Sequence, residues 1–286
     1  MKILKIVSTS ALMFCLTCSV SADSDIDGKN LRSAATIDDV ETLTQLLSTD
    51  TVDVDTANQF GKTALMMAIE NGNLASVVLL LNKGADVNKR TVAGCTALTF
   101  AAENGETEIA AMLLERGAHM HDRTRAGWDA LMIASNYGLT PIVKQLLFKG
   151  ADSKAADKKG RSALHLAALK GHTEVIAILA KSGCKLKARD NNGATALALA
   201  VRKNHFEAVK KLLELGANPN EKDQDGTTAL MEAAYYGYEN IVTLLLEAGA
   251  DQQIADSDGF LAIDIARKER HKNILELLEP PTSTTQ

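Results

Sequence analysis

The sequence predicts an all-α solenoid of stacked helix-turn-helix units, and three observations predict it. Glycine recurs at a fixed step of 33 residues, at Gly61, Gly94, Gly127, Gly160, Gly193, Gly226 and Gly259, and again at Gly84, Gly117, Gly150, Gly183, Gly216 and Gly249. A period held without slippage over seven copies marks a repeat architecture. Between successive glycines lie two short apolar patterns of helical spacing, for example Leu164, Ala167 and Ala168, then Val175, Ile178 and Leu179. Finally, the four prolines, Pro141, Pro219, Pro280 and Pro281, all avoid the interiors of the helices so placed.

Composition agrees. The chain has 286 residues, 46% of them apolar and 4% aromatic, with formal charge −5. That apolar content supports a packed core. The acidic balance argues against nucleic acid, which needs a basic footprint.

Taken in order, residues 1–22 read as a secretory signal peptide: Lys2 and Lys5, an apolar run to Val20, and small residues before a cleavage site at Ala22. Residues 23–27 are an acidic lead-in, expected to be mobile. Residues 28–60 keep the 33-residue frame in degraded form and are expected to cap the stack, since an end repeat must face water on one side. Six regular copies follow, led by Gly61, Gly94, Gly127, Gly160, Gly193 and Gly226. Thr63, Thr96, Asp129, Ser162, Thr195 and Thr228 stand where each first helix begins and can cap its free N–H groups. Thr140 is expected to cap a second helix with Pro141 at its first position. Asn204 replaces an inter-helix glycine and tolerates its left-handed geometry. Arg270 does not, so the last copy is expected to depart there. That copy, from Ser257, is the expected C-terminal cap, and 280–286 a frayed tail. Cys95 and Cys184 are nearly three repeats apart, on the order of 25 Å if layers stack about 8–10 Å apart, too far for a disulfide.

These residues resemble the ankyrin-repeat family. Its Thr-Pro-Leu-His-x-Ala-Ala motif appears as Ser162-Ala163-Leu164-His165-Leu166-Ala167-Ala168, and its Gly-Ala-Asp-x-Asn as Gly84-Ala85-Asp86-Val87-Asn88 and Gly216-Ala217-Asn218-Pro219-Asn220. Alanine replaces the motif's proline throughout. The resemblance covers residues 28–279 and implies an L-shaped stack of helix pairs whose turn tips and inner helices form a concave binding surface. It implies no catalysis.

Other chemistry is weakly supported. Glu221, Asp223, Asp225, Gly226 and Glu232 approach a calcium-loop pattern, but they fall on a repeat boundary where Asp and Gly are ordinary turn residues. His119 and His121 lie two apart on a loop arm, and His172, His205 and His271 mark inter-helix turns, where solvation is the simplest expectation. No metalloprotease or nucleophile-elbow motif is present, and the Cys-x-x-Cys spacing at Cys15 and Cys18 falls within the expected signal peptide. No catalytic residue, metal ligand or cofactor is assigned.

The informative residues are those the repeat does not require. Phe60, Arg125, Trp128, Tyr137, Lys158, Lys159, Arg161, Arg202, Lys203, Tyr235, Tyr236 and Phe260 fall on turn tips or the exposed ends of first helices. Tyr, Trp and Arg dominate interface energetics. The competing reading is that the aromatics lean on neighbouring turns and the basic residues are solvated. The expectation is therefore an exported, non-enzymatic scaffold, monomeric, binding a partner protein through a groove with a basic middle suited to an acidic segment. No nucleic acid and no membrane span in the mature form are expected. The alternative is a periplasmic metal-ion or small-ligand binder. Periplasmic retention and secretion both stay open.

Overall fold

The structure is a computed structural model that describes residues 26–48 and 52–279. The expected signal peptide with Cys15 and Cys18, most of the lead-in, and the tail 280–286 lie outside the described residues. Among those described there are sixteen helices and no strand, in eight consecutive pairs. These are α1 (Ile26–Thr36) with α2 (Val40–Leu46), α3 (Ala64–Glu70) with α4 (Leu74–Asn82), α5 (Ala97–Asn104) with α6 (Thr107–Glu115), and α7 (Ala130–Asn136) with α8 (Thr140–Phe148). Then come α9 (Ala163–Lys170) with α10 (Thr173–Lys181), α11 (Ala196–Arg202) with α12 (Phe206–Glu214), α13 (Ala229–Tyr236) with α14 (Glu239–Glu247), and α15 (Ala262–Glu269) with α16 (Lys272–Leu278).

None of these helices is long enough to be stable alone in water. They persist because each odd-numbered helix packs on the next, from α1 on α3 to α13 on α15, with its even-numbered partner behind it. One residue column sets the spacing. Ala35, Ala68, Ala101, Ala134, Ala167, Ala200, Ala233 and Ala266 are all fully buried at the same repeat position. A methyl there lets neighbouring first helices approach closely, and a larger side chain would overpack the seam. The second helices contribute Leu80, Leu113, Leu146, Leu179, Leu212 and Leu245, also fully buried. Their apolar stripe differs slightly from the expected one: in α10 it is Val175, Ile176 and Leu179 that are buried, while Ile178 stays partly exposed.

The expected caps form as anticipated at most first helices. The N–H of Met66, Thr99, Met132, Ala198 and Met231 is accepted by Thr63, Thr96, Asp129, Thr195 and Thr228 respectively. Ser162 instead meets the His165 ring: its N–H donates to Nδ1 at 3.1 Å and its hydroxyl lies 2.9 Å away. Thr140 does not cap α8. Leu139 holds that place, so Thr140 and Pro141 are the first two helical residues.

The two ends correct the sequence reading. Residues from Ile26 are already helical, and Gly28 is buried inside α1, where the frame would have put a turn tip. At the other end Arg270 keeps the left-handed backbone of its glycine counterparts, with φ 64°, as Asn204 does at 57°. The hydrogen bond from the His271 N–H to the Ala266 carbonyl, 3.0 Å, closes the turn regardless of the side chain. The last repeat nonetheless differs from the others on its outer side. Ile69, Ala102, Ser135, Ala168, Val201 and Ala234 are fully buried at one column, and the same position in α15 carries the exposed Arg267.

Candidate concave interface

Before each first helix the chain makes a tight turn whose first residue organises it. Asp190 Oδ1 accepts the N–H groups of Asn192 and Ala194. Asp223 does the same for Asp225 and Thr227, and Asp256 for Asp258 and Phe260. These carboxylates, including Asp223 of the calcium-like segment, are thus occupied by turn N–H groups. One backbone hydrogen bond joins each tip to the next. Val92 donates to Phe60, Arg125 to Ala93, Lys158 to Ala126, Asn191 to Lys159, Gln224 to Asn192 and Ser257 to Asp225, at 2.8–3.3 Å. The tips therefore form a continuous rim beside the exposed ends of the first helices.

In the middle of that rim lies a polar hub. The Asp157 side chain is 1% exposed. Its Oδ1 accepts from the N–H groups of Lys159 and Arg161, each at 2.8 Å. Its Oδ2 accepts from Trp128 Nε1 at 2.9 Å and from Arg161 Nε and Nη2 at 3.0 and 2.8 Å. The guanidinium also lies 5.8 Å from the Trp128 ring centroid, a cation–π contact. Burial alone would raise the Asp157 pKa, but the hydrogen bonds from Arg161, Trp128 and Lys159 outweigh it and hold it below its ordinary value. Trp128 and Arg161 thus spend much of their bonding capacity inside the protein, joining one repeat to the next.

The other sequence-selected residues divide the same way. Tyr137 is half-buried and donates its hydroxyl to Glu103 Oε1 at 3.1 Å; burial, with Glu103 beside it, pushes its pKa up to about 12. Arg202 is neutralised by Glu232, through Nε at 3.0 Å and through Nη2, with Asp223 at 3.9 Å. By contrast Arg125, Lys158, Lys159, Lys170 and Lys203 are exposed and have no ion-pair partner among the described residues. Tyr235 and Tyr236 are 51% and 40% exposed, in edge contact with ring centroids 5.0 Å apart. Tyr236 also stacks on Tyr238 at 5.4 Å. Phe60 and Phe260 are exposed on their tips, the latter with Lys268 Nζ 5.8 Å from its ring centroid.

Sequence reasoning missed the carboxylates that answer these residues, Glu103, Asp157 and Glu232, because nothing in the local pattern says which repeat supplies the partner. It also misjudged the turn histidines. His172, His205 and His271 are not simply solvated: Nε2 of each lies 3.0–3.1 Å from a carbonyl of the preceding repeat, those of Asn136, Leu169 and Tyr235. The signal was their 33-residue alignment with Asn73, whose amide reaches the Ala35 and Thr36 carbonyls in the same way. Cys95 and Cys184 are free thiols, each partly buried; burial pushes the Cys184 pKa up to about 11. Among the described residues no group of three or more His, Cys, Asp or Glu is placed to hold a metal ion. Among them, too, no helix is long and apolar enough to cross a membrane.

A stack of helix pairs with a rim of turns and an exposed inner face is the architecture of a repeat solenoid built for binding along its length. The family follows from comparison: a model described as ankyrin repeats in three copies matches residues 31–124, 131–223 and 215–283. The chain belongs to the ankyrin-repeat family, whose members are generally protein–protein interaction modules and typically non-enzymatic. No curated protein matches the chain.

Proposed function

We propose that this ankyrin-repeat protein is an exported, non-enzymatic scaffold that holds an acidic, extended segment of a partner protein against its concave face. Export rests on the basic, apolar and small-residue pattern of residues 1–22. One observation carries the binding mode: Lys158, Lys159, Lys170 and Lys203 stand exposed on the inner side of adjacent repeats without ion pairs among the described residues, while the chain as a whole has charge −5. Tyr235 and Tyr236 adjoin this strip and supply apolar contact area of the kind that anchors interfaces.

The geometry suggests a register. Packed helices lie about 8–10 Å apart, and an extended chain in the polyproline II conformation advances roughly 3.1 Å per residue and returns to the same face every third residue. Acidic side chains at about every third position of the partner would therefore meet one repeat each. A synthetic extended peptide with glutamate at every third position is the direct probe, measured by calorimetry. Tyr235→Ala combined with Tyr236→Ala is expected to weaken binding about 10-fold or more with the fold intact. Lys158→Gln with Lys159→Gln should weaken it and reduce its salt dependence. Unchanged affinity in both folded variants refutes the reading.

A further inference from the structure

A second basic surface lies away from the groove, on the arms that leave the second helices. In the flanking repeats the arm residues serve the stack. Asp86 Oδ1 accepts the Asn88 N–H at 2.8 Å, and Asn88 in turn brackets the next repeat, accepting from His119 N–H at 2.8 Å and donating to the Gly117 carbonyl at 3.2 Å. Asn220 repeats this bracket with Asp251 and Gly249, and Asp55 accepts the Asp86 N–H. In the three central arms the bracket position reads His121, Lys154 and Lys187, and none of these side chains makes the bracket. In the arm after α10 the preceding turn residue is lost as well, replaced by Lys185. The centre of the stack has thus exchanged two kinds of structural hydrogen bond for lysines.

Those lysines gather with others. By the 33-residue frame Lys154 occupies the position that faces Gly183 and Lys185 of the next arm, as Asn88 two units earlier faces Gly117 and His119. The end of α8 supplies Phe148 and Lys149, and the end of α10 supplies Lys181 at the position matching Phe148. Lys149, Lys154, Lys181, Lys185 and Lys187 are all exposed, and none has an ion-pair partner among the described residues. Phe148 is 87% exposed. Of the twelve Lys and Arg between Lys149 and Lys203, these five lysines lie on the arm side, whereas Lys158, Lys159, Arg161, Lys170, Arg202 and Lys203 belong to the groove. Asp152 sits in this patch but accepts the Lys154 N–H at 2.9 Å. Glu115 and Glu214 bound it at the repeats on either side.

We propose that this surface docks the protein on an anionic phospholipid membrane, the lysines lying at the headgroup phosphates and Phe148 entering the interface. Lysine is a mobile point charge suited to many headgroup arrangements, and an aromatic side chain beside a basic cluster supplies the apolar insertion that charge alone lacks. Phe148 is the single aromatic of this surface and none lines the arms between Gly150 and Asp157 or Gly183 and Asp190, so there is no row of rings on which successive nucleic-acid bases could stack. The inference concerns a different face from the groove and does not rest on the groove's function.

The test uses the full chain with vesicles of phosphatidylcholine containing phosphatidylglycerol, read by co-sedimentation. Vesicles of phosphatidylcholine alone are the reference, which cancels any partition of the apolar amino-terminal residues. The decisive variant is Lys185→Asp with Lys187→Asn, which restores the structural pair found at Asp86 and Asn88. It is expected to raise the melting temperature while lowering binding to the anionic vesicles by about 125-fold, at about a factor of five for each of the three units of charge it changes. Phe148→Ser should lower it several-fold, and high salt should abolish it. Lys158→Gln with Lys159→Gln should leave it unchanged. Equal binding to both vesicle types, or undiminished binding by the stable double variant, overturns the proposal. Capture of a soluble glutamate-rich peptide through Lys185 and Lys187 without vesicle binding also overturns it, and assigns the surface to a protein instead.

Discussion

Asp157→Ala is the substitution that most directly tests how the rim is held. It removes the acceptor for five hydrogen bonds: two turn N–H groups, the Trp128 indole and two from the Arg161 guanidinium. Breaking a buried ion pair by deleting one partner costs about 3–5 kcal/mol, because the remaining charge is left uncompensated. The Arg161 side chain is 18% exposed and can turn partly to water, which places the loss near the lower end of that range. Asp190→Ala is the internal control, since Asp190 accepts only the two turn N–H groups; its expected cost is about 1–2 kcal/mol. Urea unfolding followed by circular dichroism gives both values, and amide exchange across 124–161 should show the local loss of protection in the first variant alone. Because the Asp157 pKa is held below its ordinary value, its contribution is complete above the unfolded-state pKa near 3.9 and fades as pH falls toward the folded value. The wild-type advantage over Asp157→Ala should therefore shrink in acid. Equal losses for Asp157→Ala and Asp190→Ala would show that the inter-repeat hub adds nothing and refute the reasoning.

Two further outcomes follow from the repeat geometry. Gly226→Ala and Gly259→Ala both force a non-glycine residue into the left-handed region, at φ 77° and 85°, costing about 1–2 kcal/mol each. At Gly226 the new methyl would also lie 2.9 Å from the Ser257 nitrogen of the next tip, whereas at Gly259 nothing lies within 4 Å; chemical denaturation should show Gly226→Ala worse by a further 1–3 kcal/mol, roughly the cost of overpacking. Burial lowers the pKa of His165, which lies within hydrogen-bond distance of Ser162 and the Ala188 carbonyl. The unfolded chain then takes up the proton first as pH falls below about 6.5, and stability declines by up to roughly 1.4 kcal/mol per pH unit for one proton. His165→Thr, the residue type that accepts the capping N–H at Thr99, should be less stable at pH 7.5 but lose less on transfer to pH 5; a parallel pH response in both proteins counts against the assignment.

How much of this was legible beforehand depends on whether the responsible contact lies within one repeat or between two. The helix pairs and first-helix caps could be read from the 33-residue frame, because a cap is made by residues three positions apart. The carboxylate partners Asp157 for Trp128, Glu103 for Tyr137 and Glu232 for Arg202 lie 29 to 34 residues from the groups they bind. Several acidic residues at similar separations were equally available in the sequence. The turn histidines were misjudged for the same reason: their carbonyl partners are 36 residues away and are backbone atoms that no side-chain pattern marks.

The amino-acid sequence by itself determined the all-α repeat stack, its helix caps and the concentration of aromatic and basic residues on one edge. These follow from short-range periodicity, in which each copy repeats the same local rules. Only the tertiary structure decided which of those residues are free to meet a partner. Trp128, Tyr137 and Arg202 are engaged by neighbouring repeats and Arg161 by Asp157 of its own turn, whereas Lys158, Lys159, Lys203, Tyr235 and Tyr236 remain exposed. The physical reason is that stacking alone brings side chains about thirty residues apart to within hydrogen-bond distance, and a charge so paired has already spent the attraction a ligand would need.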